Sequence, residues 1–452
     1  MSIHDGRLET PECDHSHGHS MYDGAFAIPA EAVPMKTPSS VETDGLFRWP
    51  DEGLARVPFR VYNDPQIAEA EQKLLFQGET WNLVCLDLEV AEPGQYRTNW
   101  IGDTPVIVVR DPVADRIRVF VNRCVHRGSM LCLEQHGKAE NFTCMYHNWV
   151  YSLDGKLQSI AFKRGVRGQG GMPADFDITK HGLRELRVDI IRNLVFATFS
   201  DRLPPVRDWF GPRMVWSLER FFHKPIRLIG GYTQVLPNNW KLYAENVRDS
   251  YHASLLHTFF ATFGLNRLSM DGAVEVNEAG GSHLSWSKMA TDDAEGTDYA
   301  SGGLRSMRDL AIEDRRLLKT WPEFDDGITH MIQTLFPNVF LQQIQNTLAV
   351  RLLVPRGLDR CDLQWWVFAY EDDTPEQLRM RLMQSNLVGP AGLVSLEDGF
   401  IGNAVQRTTR GDQGHGAIVE MGGHGVGTER QSRVSEAAVR GFWQQWRGLM
   451  GY

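Results

Sequence analysis

The sequence predicts an α+β protein, in which a small all-β segment precedes a larger segment of mixed helices and strands. Two β-branched runs, Thr104–Arg110 and Arg116–Val121, flank turn-forming residues, and this pattern is typical of a β-hairpin. Residues 243–263 contain neither Gly nor Pro and show no strand alternation, so a helix is expected there. Strand candidates recur further on, at Val339–Gln345 and Leu348–Val354 among others. Together these patterns indicate a β segment followed by a mixed one.

The elements follow one another in a clear order. Residues 1–57 are polar and rich in Pro, Gly, Ser and acidic residues, so they are interpreted as a loosely ordered arm, His15, His17 and His19 included. Residues 81–200 contain the hairpin and further strand candidates at Trp149–Leu153 and Leu194–Phe199. We predict that residues 58–80 and 201–452 form the mixed domain. Its C-terminal stretch places Val439, Phe442, Trp443, Trp446 and Met450 on one helical face, which favours packing over cofactor binding.

Composition excludes several classes of function. The 452 residues are 42% hydrophobic and carry a formal charge of −10, which argues against binding to nucleic acid or to an anionic membrane surface. No apolar run approaches the roughly 20 residues that span a bilayer, and the N-terminus lacks a secretory signal. Six cysteines in a chain of this length do not predict a disulfide scaffold, so a reducing, cytoplasmic environment is expected.

Four residues within the β segment have the spacing of a metal centre. Cys124-Val-His126 is followed, after seventeen residues, by Cys144-Met-Tyr-His147. Structural zinc sites usually hold two cysteines in one pair and two histidines in the other, whereas each pair here holds one of each. A Rieske cluster takes two thiolates on one iron and two imidazoles on the other, so this pairing favours a [2Fe–2S] cluster over zinc. Gly128 allows a tight turn after the first pair, and Trp149 and Tyr151 are expected to shield the second loop.

A second group of possible ligands lies on the expected helix. His252 and His257 are five residues apart, about 140° around an ideal helix, so side-chain reach or a local distortion is needed for both to meet one metal. Two histidines and a carboxylate form the facial triad of non-haem Fe(II) oxygenases. Asp249 is one turn before His252 and is either that carboxylate or a partner that orients a histidine. A cluster without this iron would indicate an electron-transfer protein, the remaining alternative class.

Both groups together resemble the large (α) subunit of Rieske non-haem iron aromatic ring-hydroxylating dioxygenases, from about Val57 to the C-terminus. The resemblance implies a Rieske β domain joined to a catalytic domain with an antiparallel sheet wrapped around helices. It implies that His252, His257 and Asp398, in Gly389-Pro-Ala-Gly-Leu-Val-Ser-Leu-Glu-Asp-Gly399, ligate the mononuclear iron. Asp249 then bridges an iron-ligating histidine to a Rieske histidine of the neighbouring subunit.

Within this family the chain is most similar to the branch that acts on aromatic carboxylates. Four segments resemble the terephthalate dioxygenases, namely Gly168–Pro173, Leu236–Lys241, Asp249–His257 and Leu341–Asn346. Salicylate 5-hydroxylases and anthranilate dioxygenases are the related alternatives, with halobenzoate hydroxylation also in the family. The resemblance implies that Arg351, Arg407 and Ser285 bind the substrate carboxylates. Either arginine could instead make a structural ion pair.

The resemblance also implies the partners and the reaction. A reductase supplies electrons from NADH to the Rieske cluster, which passes them to the mononuclear iron. O₂ and an aromatic carboxylate then give a cis-dihydrodiol. A trimer is implied, either α₃ or α₃β₃ with a small β subunit. No Gly-rich dinucleotide fingerprint is present, so NADH is expected to bind the reductase.

Overall fold

The computed structural model describes residues 47–289, 312–429 and 432–452. The cluster of His15, His17 and His19 in the N-terminal arm lies outside the described residues. A short strand and two short helices come first: β1 (Arg56–Pro58), α1 (Arg60–Asn63) and α2 (Pro65–Glu71). No helix of the described part is both long and apolar enough to cross a membrane.

The first large sheet and a small sheet beside it carry the Cys/His loops. Their strands are β2 (Asn82–Leu86), β3 (Gln95–Ile101), β4 (Thr104–Asp111), β5 (Arg116–Val121), β6 (His136–Lys138), β7 (Asn141–Thr143), β8 (Val150–Ser152), β9 (Leu157–Ser159), β10 (Glu185–Ile191) and β11 (Leu194–Thr198). Seven of them form an antiparallel sheet in the order β2-β11-β10-β5-β4-β3-β6, and β7-β8-β9 form a separate sheet. The predicted hairpin is confirmed, because β4 pairs antiparallel with β5.

The second large sheet organises the remaining chain. Its strands are β12 (Ile226–Leu236), β13 (Gly272–Val276), β14 (His283–Lys288), β15 (Ile328–Leu335), β16 (Val339–Ile344), β17 (Thr347–Pro355) and β18 (Cys361–Tyr370). They are ordered β12-β18-β17-β16-β15-β14-β13, and β19 (Gly416–Ile418) pairs separately with β1. The helices are α3 (Val206–Phe210), α4 (Pro212–Phe221), α5 (Trp240–Asn246), α6 (Thr258–Thr262), α7 (Pro375–Val388), α8 (Leu393–Thr409) and α9 (Ala437–Met450).

This sheet is buried on both faces, so its central strands are almost continuously buried instead of alternating. On one face Leu348 and Val350 pack into a cluster with Phe221 of α4. On the other face Ala349 packs into a cluster with Tyr243 of α5. The second face therefore looks toward the helices that carry the histidines.

The C-terminal helix α9 confirms the predicted packing stripe. Its five expected residues are all buried, namely Val439, Phe442, Trp443, Trp446 and Met450. Trp446 Nε1 also donates to the buried Glu71 carboxylate at 2.8 Å, and Lys241 Nζ lies 2.8 Å from the same carboxylate. These contacts attach the start of α5 to α9 and to the α2 segment, which makes α5 a rigid support for the site.

The expected single helix over residues 243–263 was wrong. Helix α5 ends at Asn246, a 3₁₀ turn spans His252–Ser254, and α6 begins only at Thr258. Tertiary hydrogen bonds replace the helical ones here. Arg248 Nη2 donates to the Gly281 carbonyl (2.9 Å), and Ser250 Oγ donates to the Arg433 carbonyl (2.6 Å). These bonds stabilise a bent chain, which changes the direction of the two histidines relative to an ideal helix.

Candidate functional site

The two Cys/His loops have the same local conformation. The N–H of Gly128 donates to the Cys124 carbonyl at 3.0 Å, and that of Asn148 donates to the Cys144 carbonyl at 2.9 Å. Gly128 (φ 76°) and Asn148 (φ 51°) both occupy the left-handed region, which Gly and Asn tolerate best. Each loop therefore folds back after its cysteine and presents a histidine on the same side.

The four side chains form an imidazole pair and a thiol pair. The Nδ1 atoms of His126 and His147 are 3.2 Å apart, and the Cys124 and Cys144 thiols are near enough for each to shift the pKa of the other. A site for a single ion would hold its donor atoms within 4.8 Å of one another. Within the described part of the chain, these four donors do not form such a group. Two separate pairs fit a two-iron cluster with mixed ligands better than one zinc ion.

Aromatic rings cover the cluster loops. Trp149 stacks on His126 with ring centroids 4.6 Å apart, and the Tyr151 hydroxyl lies 3.2 Å from Cys124 Sγ. Both residues are buried, in agreement with the expectation that they shield the second loop. The exposed Tyr146 packs on His147 at 3.7 Å, a contact that the sequence analysis did not identify.

The bent segment brings the second group of ligands together. His252 Nε2 and His257 Nε2 lie 3.5 and 3.2 Å from the same oxygen, Asp398 Oδ1. Asp398 is buried on α8, far from the histidines in sequence. One donor atom from each residue lies within 4.8 Å of the others, and the set of two imidazoles and one carboxylate fits a facial triad.

Each histidine of this group has a carboxylate on its other ring nitrogen. Asp249 Oδ2 lies 3.3 Å from His252 Nδ1, and Glu397 Oε2 lies 2.7 Å from His257 Nδ1. The hydrogen bond with Glu397 fixes the tautomer of His257 that leaves Nε2 available as a ligand, whereas Asp249 lies at ion-pair distance from His252. Between Asp249 and Asp398, the geometry thus favours Asp398 as the third ligand. Glu397 was missed, although its position directly before Asp398 was the available signal.

The electrostatics of this group favour a cation. Burial would lower the pKa of His252, but Asp249 and Asp398 outweigh it and raise that pKa to about 10. Burial would raise the pKa of Asp398, but hydrogen bonds from His252 and His257 hold that pKa well below its ordinary range. The two carboxylates thus create a negative potential that a bound cation would balance in place of protons.

A cavity opens beside this group and reaches the second large sheet. Its lining includes His252, His257 and Asp398 together with Ser285 and Arg351. Cross-strand register arranges the sheet side chains in rows, and Ser285, Ile332 and Gln342 form the middle row.

Arg351 and His330 lie on opposite sides of that middle row. Arg351 is one row toward the start of β16, and His330 is one row toward its end. Four strand residues separate the two outer rows, which corresponds to about 13 Å.

Arg407 does not reach the cavity. It is exposed on α8, nine residues after Asp398, which corresponds to about half a turn around the helix. The structure therefore brings Arg351 and Ser285 to the site, and it leaves Arg407 on the opposite face of α8.

Arg433, which the sequence analysis missed, lines the cavity instead. Its side chain is buried, and Nη1 donates to Asn266 Oδ1 at 2.7 Å. The same oxygen accepts from Ser287, the cross-strand neighbour of His330. Arg433 is thus anchored on the His330 side of the cavity, opposite Arg351. It lies on an irregular segment, so no periodicity pointed to it.

Comparison with known proteins agrees with this geometry. Residues 80–168 match the Rieske [2Fe-2S] domain, and residues 216–451 match the family described as ring hydroxylating alpha subunit (catalytic domain). The chain is 46% identical over 410 residues to the terephthalate 1,2-dioxygenase terminal oxygenase component subunit alpha 2 of Comamonas sp, covering 90% of this chain and 98% of that protein. It is 40% identical over 405 residues to the anthranilate 1,2-dioxygenase large subunit of Burkholderia cepacia, covering 89% and 95%.

The fold is also shared with a solved structure. Naphthalene 1,2-dioxygenase from Rhodococcus sp. bound to indole superposes with a TM-score of 0.71 at 20% identity, covering 87% of this chain and 94% of that chain. This likeness confirms the expected α+β architecture. With the family match and the gathered histidines and carboxylate, it follows that the chain belongs to the Rieske-type aromatic-ring dioxygenases as a large (α) subunit, with a [2Fe–2S] cluster and a mononuclear iron as cofactors.

Proposed function

We propose that this chain is the large subunit of an oxygenase component that dihydroxylates terephthalate to a cis-dihydrodiol. The observation that carries the proposal is the pair of buried arginines, Arg351 and Arg433, on opposite sides of one cavity beside the iron-ligand group. A buried carboxylate is costly without a cation, so a ring with a carboxylate at each end fits such a cavity. The name of the 46% identical Comamonas relative supports the same substrate.

Arg351 is well prepared to bind an anion. Its Nη1 donates to the Tyr243 hydroxyl (2.9 Å), and its guanidinium lies 4.8 Å from the Trp365 ring centroid. Nε has no hydrogen-bond partner among the described residues. The guanidinium is thus held in place without a carboxylate of the protein, and a substrate carboxylate would supply the missing negative charge. Ser285, in the middle row, would donate a further hydrogen bond.

The metal ligands follow from the geometry of the two groups. His252, His257 and Asp398 would hold the mononuclear iron, and Cys124, His126, Cys144 and His147 would hold the [2Fe–2S] cluster. When bound, the iron supplies sites for O₂ activation and the cluster supplies electrons one at a time. The protein's own part is to orient the imidazoles through Asp249 and Glu397 and to hold the ring against the iron.

Asp249 is proposed as the bridge for electron transfer between subunits. Its carboxylate contacts His252 Nδ1 and is about a quarter exposed, at 23%, so a histidine of a neighbouring subunit could reach it. On their own loops His126 is exposed and His147 is partly exposed, as this contact requires. A head-to-tail trimer, α₃ or α₃β₃ with a small β subunit, would bring the two surfaces together.

Three further points belong to the proposal. A separate reductase using NADH would donate electrons, and the complex would work in the cytoplasm. We also propose the domain division of the sequence analysis, with residues 81–200 as the cluster domain and 58–80 with 201–452 as the catalytic domain. The two large sheets, β2–β11 and β12–β18, support this division.

A monocarboxylate with an amino or hydroxyl group is the second candidate substrate. Gln342 is fully buried in the cavity lining, and neither its amide oxygen nor its nitrogen has a partner among the described residues. Terephthalate offers only acceptors, whereas an amino or hydroxyl substituent would donate to the Gln342 oxygen. This observation favours anthranilate or salicylate as the alternative.

Product analysis with a reconstituted reductase distinguishes these candidates. Terephthalate, anthranilate and salicylate are offered at equal concentration, and the cis-dihydrodiol and hydroxylated products are quantified. We expect the highest kcat/KM for terephthalate. A higher value for either monocarboxylate would refute the proposed substrate. Iron analysis tests the reaction class, because an oxygenase holds three irons per chain and an electron carrier two.

A further inference from the structure

His330 is a buried histidine of the cavity that the proposed reaction has not used. It lies on β15 with its ring 5.8 Å from that of Phe260, and it lines the same cavity as Arg351 and Arg433. Neither ring nitrogen has a hydrogen-bond partner within the described residues. A buried imidazole without a protein partner is costly, so its polar atoms are expected to meet a ligand in the cavity.

The charges around His330 keep it neutral. Burial is the largest influence, and the charges of Arg433, His257 and Arg351 act in the same direction, so that the pKa of His330 is lowered to about 3. A neutral imidazole still has one N–H donor. The cavity therefore offers two cationic groups and one uncharged donor.

His330 lies where the second carboxylate needs a donor. Arg433 already donates from Nη1 to Asn266 and from Nη2 to the Arg267 carbonyl, so part of its guanidinium is engaged with the protein. His330 is on the same side of the cavity, because its cross-strand neighbour Ser287 shares Asn266 with Arg433. A carboxylate has about four acceptor positions, so Arg433 alone leaves some of them unsatisfied.

We propose that His330 is a substrate-binding residue, whose neutral imidazole donates a hydrogen bond to the carboxylate that Arg433 holds. This inference rests on the proposed function, since it assigns the second carboxylate of a dicarboxylate substrate. It predicts that His330 contributes to the selection of dicarboxylates over monocarboxylates. A benzoate-type monoacid would pair with Arg351 and would not need His330.

Two variants test the role of His330. His330→Leu removes the donor at similar volume, and His330→Gln keeps an N–H donor. Binding of terephthalate and of benzoate is measured by calorimetry on the metal-loaded protein without reductant. We expect His330→Leu to weaken terephthalate binding roughly 10- to 100-fold, as for a hydrogen bond to a charged group. His330→Gln should stay within about fivefold of the wild type, and benzoate should change less than about threefold in both variants.

The outcomes separate this inference from the proposed function. Wild-type protein that fails to bind terephthalate would refute the proposed function, and the role of His330 with it. A terephthalate affinity of His330→Leu equal to that of the wild type would refute only the role of His330. Equal losses for benzoate and terephthalate would also overturn it, because they would indicate a general disturbance of the cavity. The visible spectrum of the cluster and the iron content confirm that each variant is folded.

Discussion

Replacing Arg351 by methionine should stabilise the protein while it abolishes tight binding of a dicarboxylate. Arg351 is 4% exposed, and no ion pair to it is found among the described residues. Its partners are the Tyr243 hydroxyl and the faces of Trp365 and Phe340, at 4.8 and 5.8 Å from the guanidinium carbon. A buried charge without a counter-charge costs several kcal/mol, of which the aromatic faces return about 2 kcal/mol. Methionine keeps most of the apolar contact and has no charge to desolvate.

Arg351→Met should therefore be more stable than the wild type but should bind terephthalate less tightly. We expect the free energy of unfolding of the substrate-free protein to rise by about 1–3 kcal/mol in Arg351→Met. This corresponds to roughly 1–2 °C in the unfolding midpoint for each kcal/mol, because the entropy of unfolding grows with the size of the domain. Two charge-assisted hydrogen bonds to a carboxylate are lost, each worth about 1.5–3 kcal/mol, so the Kd for terephthalate should rise at least about 100-fold.

Thermal unfolding with and without terephthalate measures both effects in one assay. Terephthalate should raise the midpoint of the wild type, because a ligand that binds only the folded state stabilises it, and should leave that of Arg351→Met nearly unchanged. Arg407→Met is the matched control, since Arg407 is exposed on the far side of α8. The reasoning is refuted if substrate-free Arg351→Met is less stable than the wild type, or if Arg407→Met loses terephthalate binding as strongly.

Four further predictions concern the metal sites and a buried acid. His252→Ala should keep the visible spectrum of the cluster but lose the mononuclear iron and all product, measured by iron analysis and chromatography; continued turnover would contradict the ligand assignment. Asp249→Asn should retain both metals, because the 3.3 Å contact of Asp249 with His252 is weaker than the 2.7 Å bond of Glu397 to His257; it should slow the oxidation of the reduced cluster by O₂ and substrate in stopped-flow absorbance, and an unchanged rate would contradict the bridge. Glu397→Gln should weaken iron retention roughly 10-fold or more after gel filtration, because the 2.7 Å bond to His257 is weakened; full retention would mean that His257 needs no partner. Burial raises the pKa of Glu245 from 4.5 to about 7. Between these two pH values Glu245 stays protonated in the folded protein but ionises in the unfolded chain, so the free energy of unfolding falls as the pH rises from 4.5 to 7. Glu245→Gln should therefore gain stability at pH 8 but not at pH 4, measured by urea unfolding at both pH values, and an equal change at both would rule out ionisation as the cause.

The cluster loops were predictable because their chemistry is local. Cys124, His126, Cys144 and His147 are grouped in two short segments, and each segment closes its own turn through hydrogen bonds within five residues. Such a turn depends on a few neighbouring side chains and on one left-handed residue. Spacing therefore carried nearly all the information for this site.

For the group of His252, His257 and Asp398, the sequence indicated the residues but not the path of the chain that brings them together. Residues 243–263 have the composition of a continuous helix, yet hydrogen bonds from Arg248 and Ser250 to distant carbonyls stabilise a bend. These partners lie on segments far along the chain, so no local pattern records them. In an ideal helix His252 and His257 would point about 140° apart, and the bend turns both side chains toward Asp398.

The arginines proposed to bind carboxylates show which positions helix and strand periodicity can predict. Asp398 and Arg407 are both on α8, and a spacing of nine residues places them on opposite faces. Helix geometry alone therefore excludes Arg407 from the cavity once Asp398 faces the two histidines. Arg351, which the resemblance implied, lies on a buried strand and lines the cavity, because register fixes the direction of each side chain there. Arg433 belongs to neither a helix nor a strand, and its position depends on Asn266 and on the Arg267 carbonyl. Because such a position is set by tertiary contacts, no pattern in the sequence pointed to Arg433, and the resemblance named Arg407 in its place.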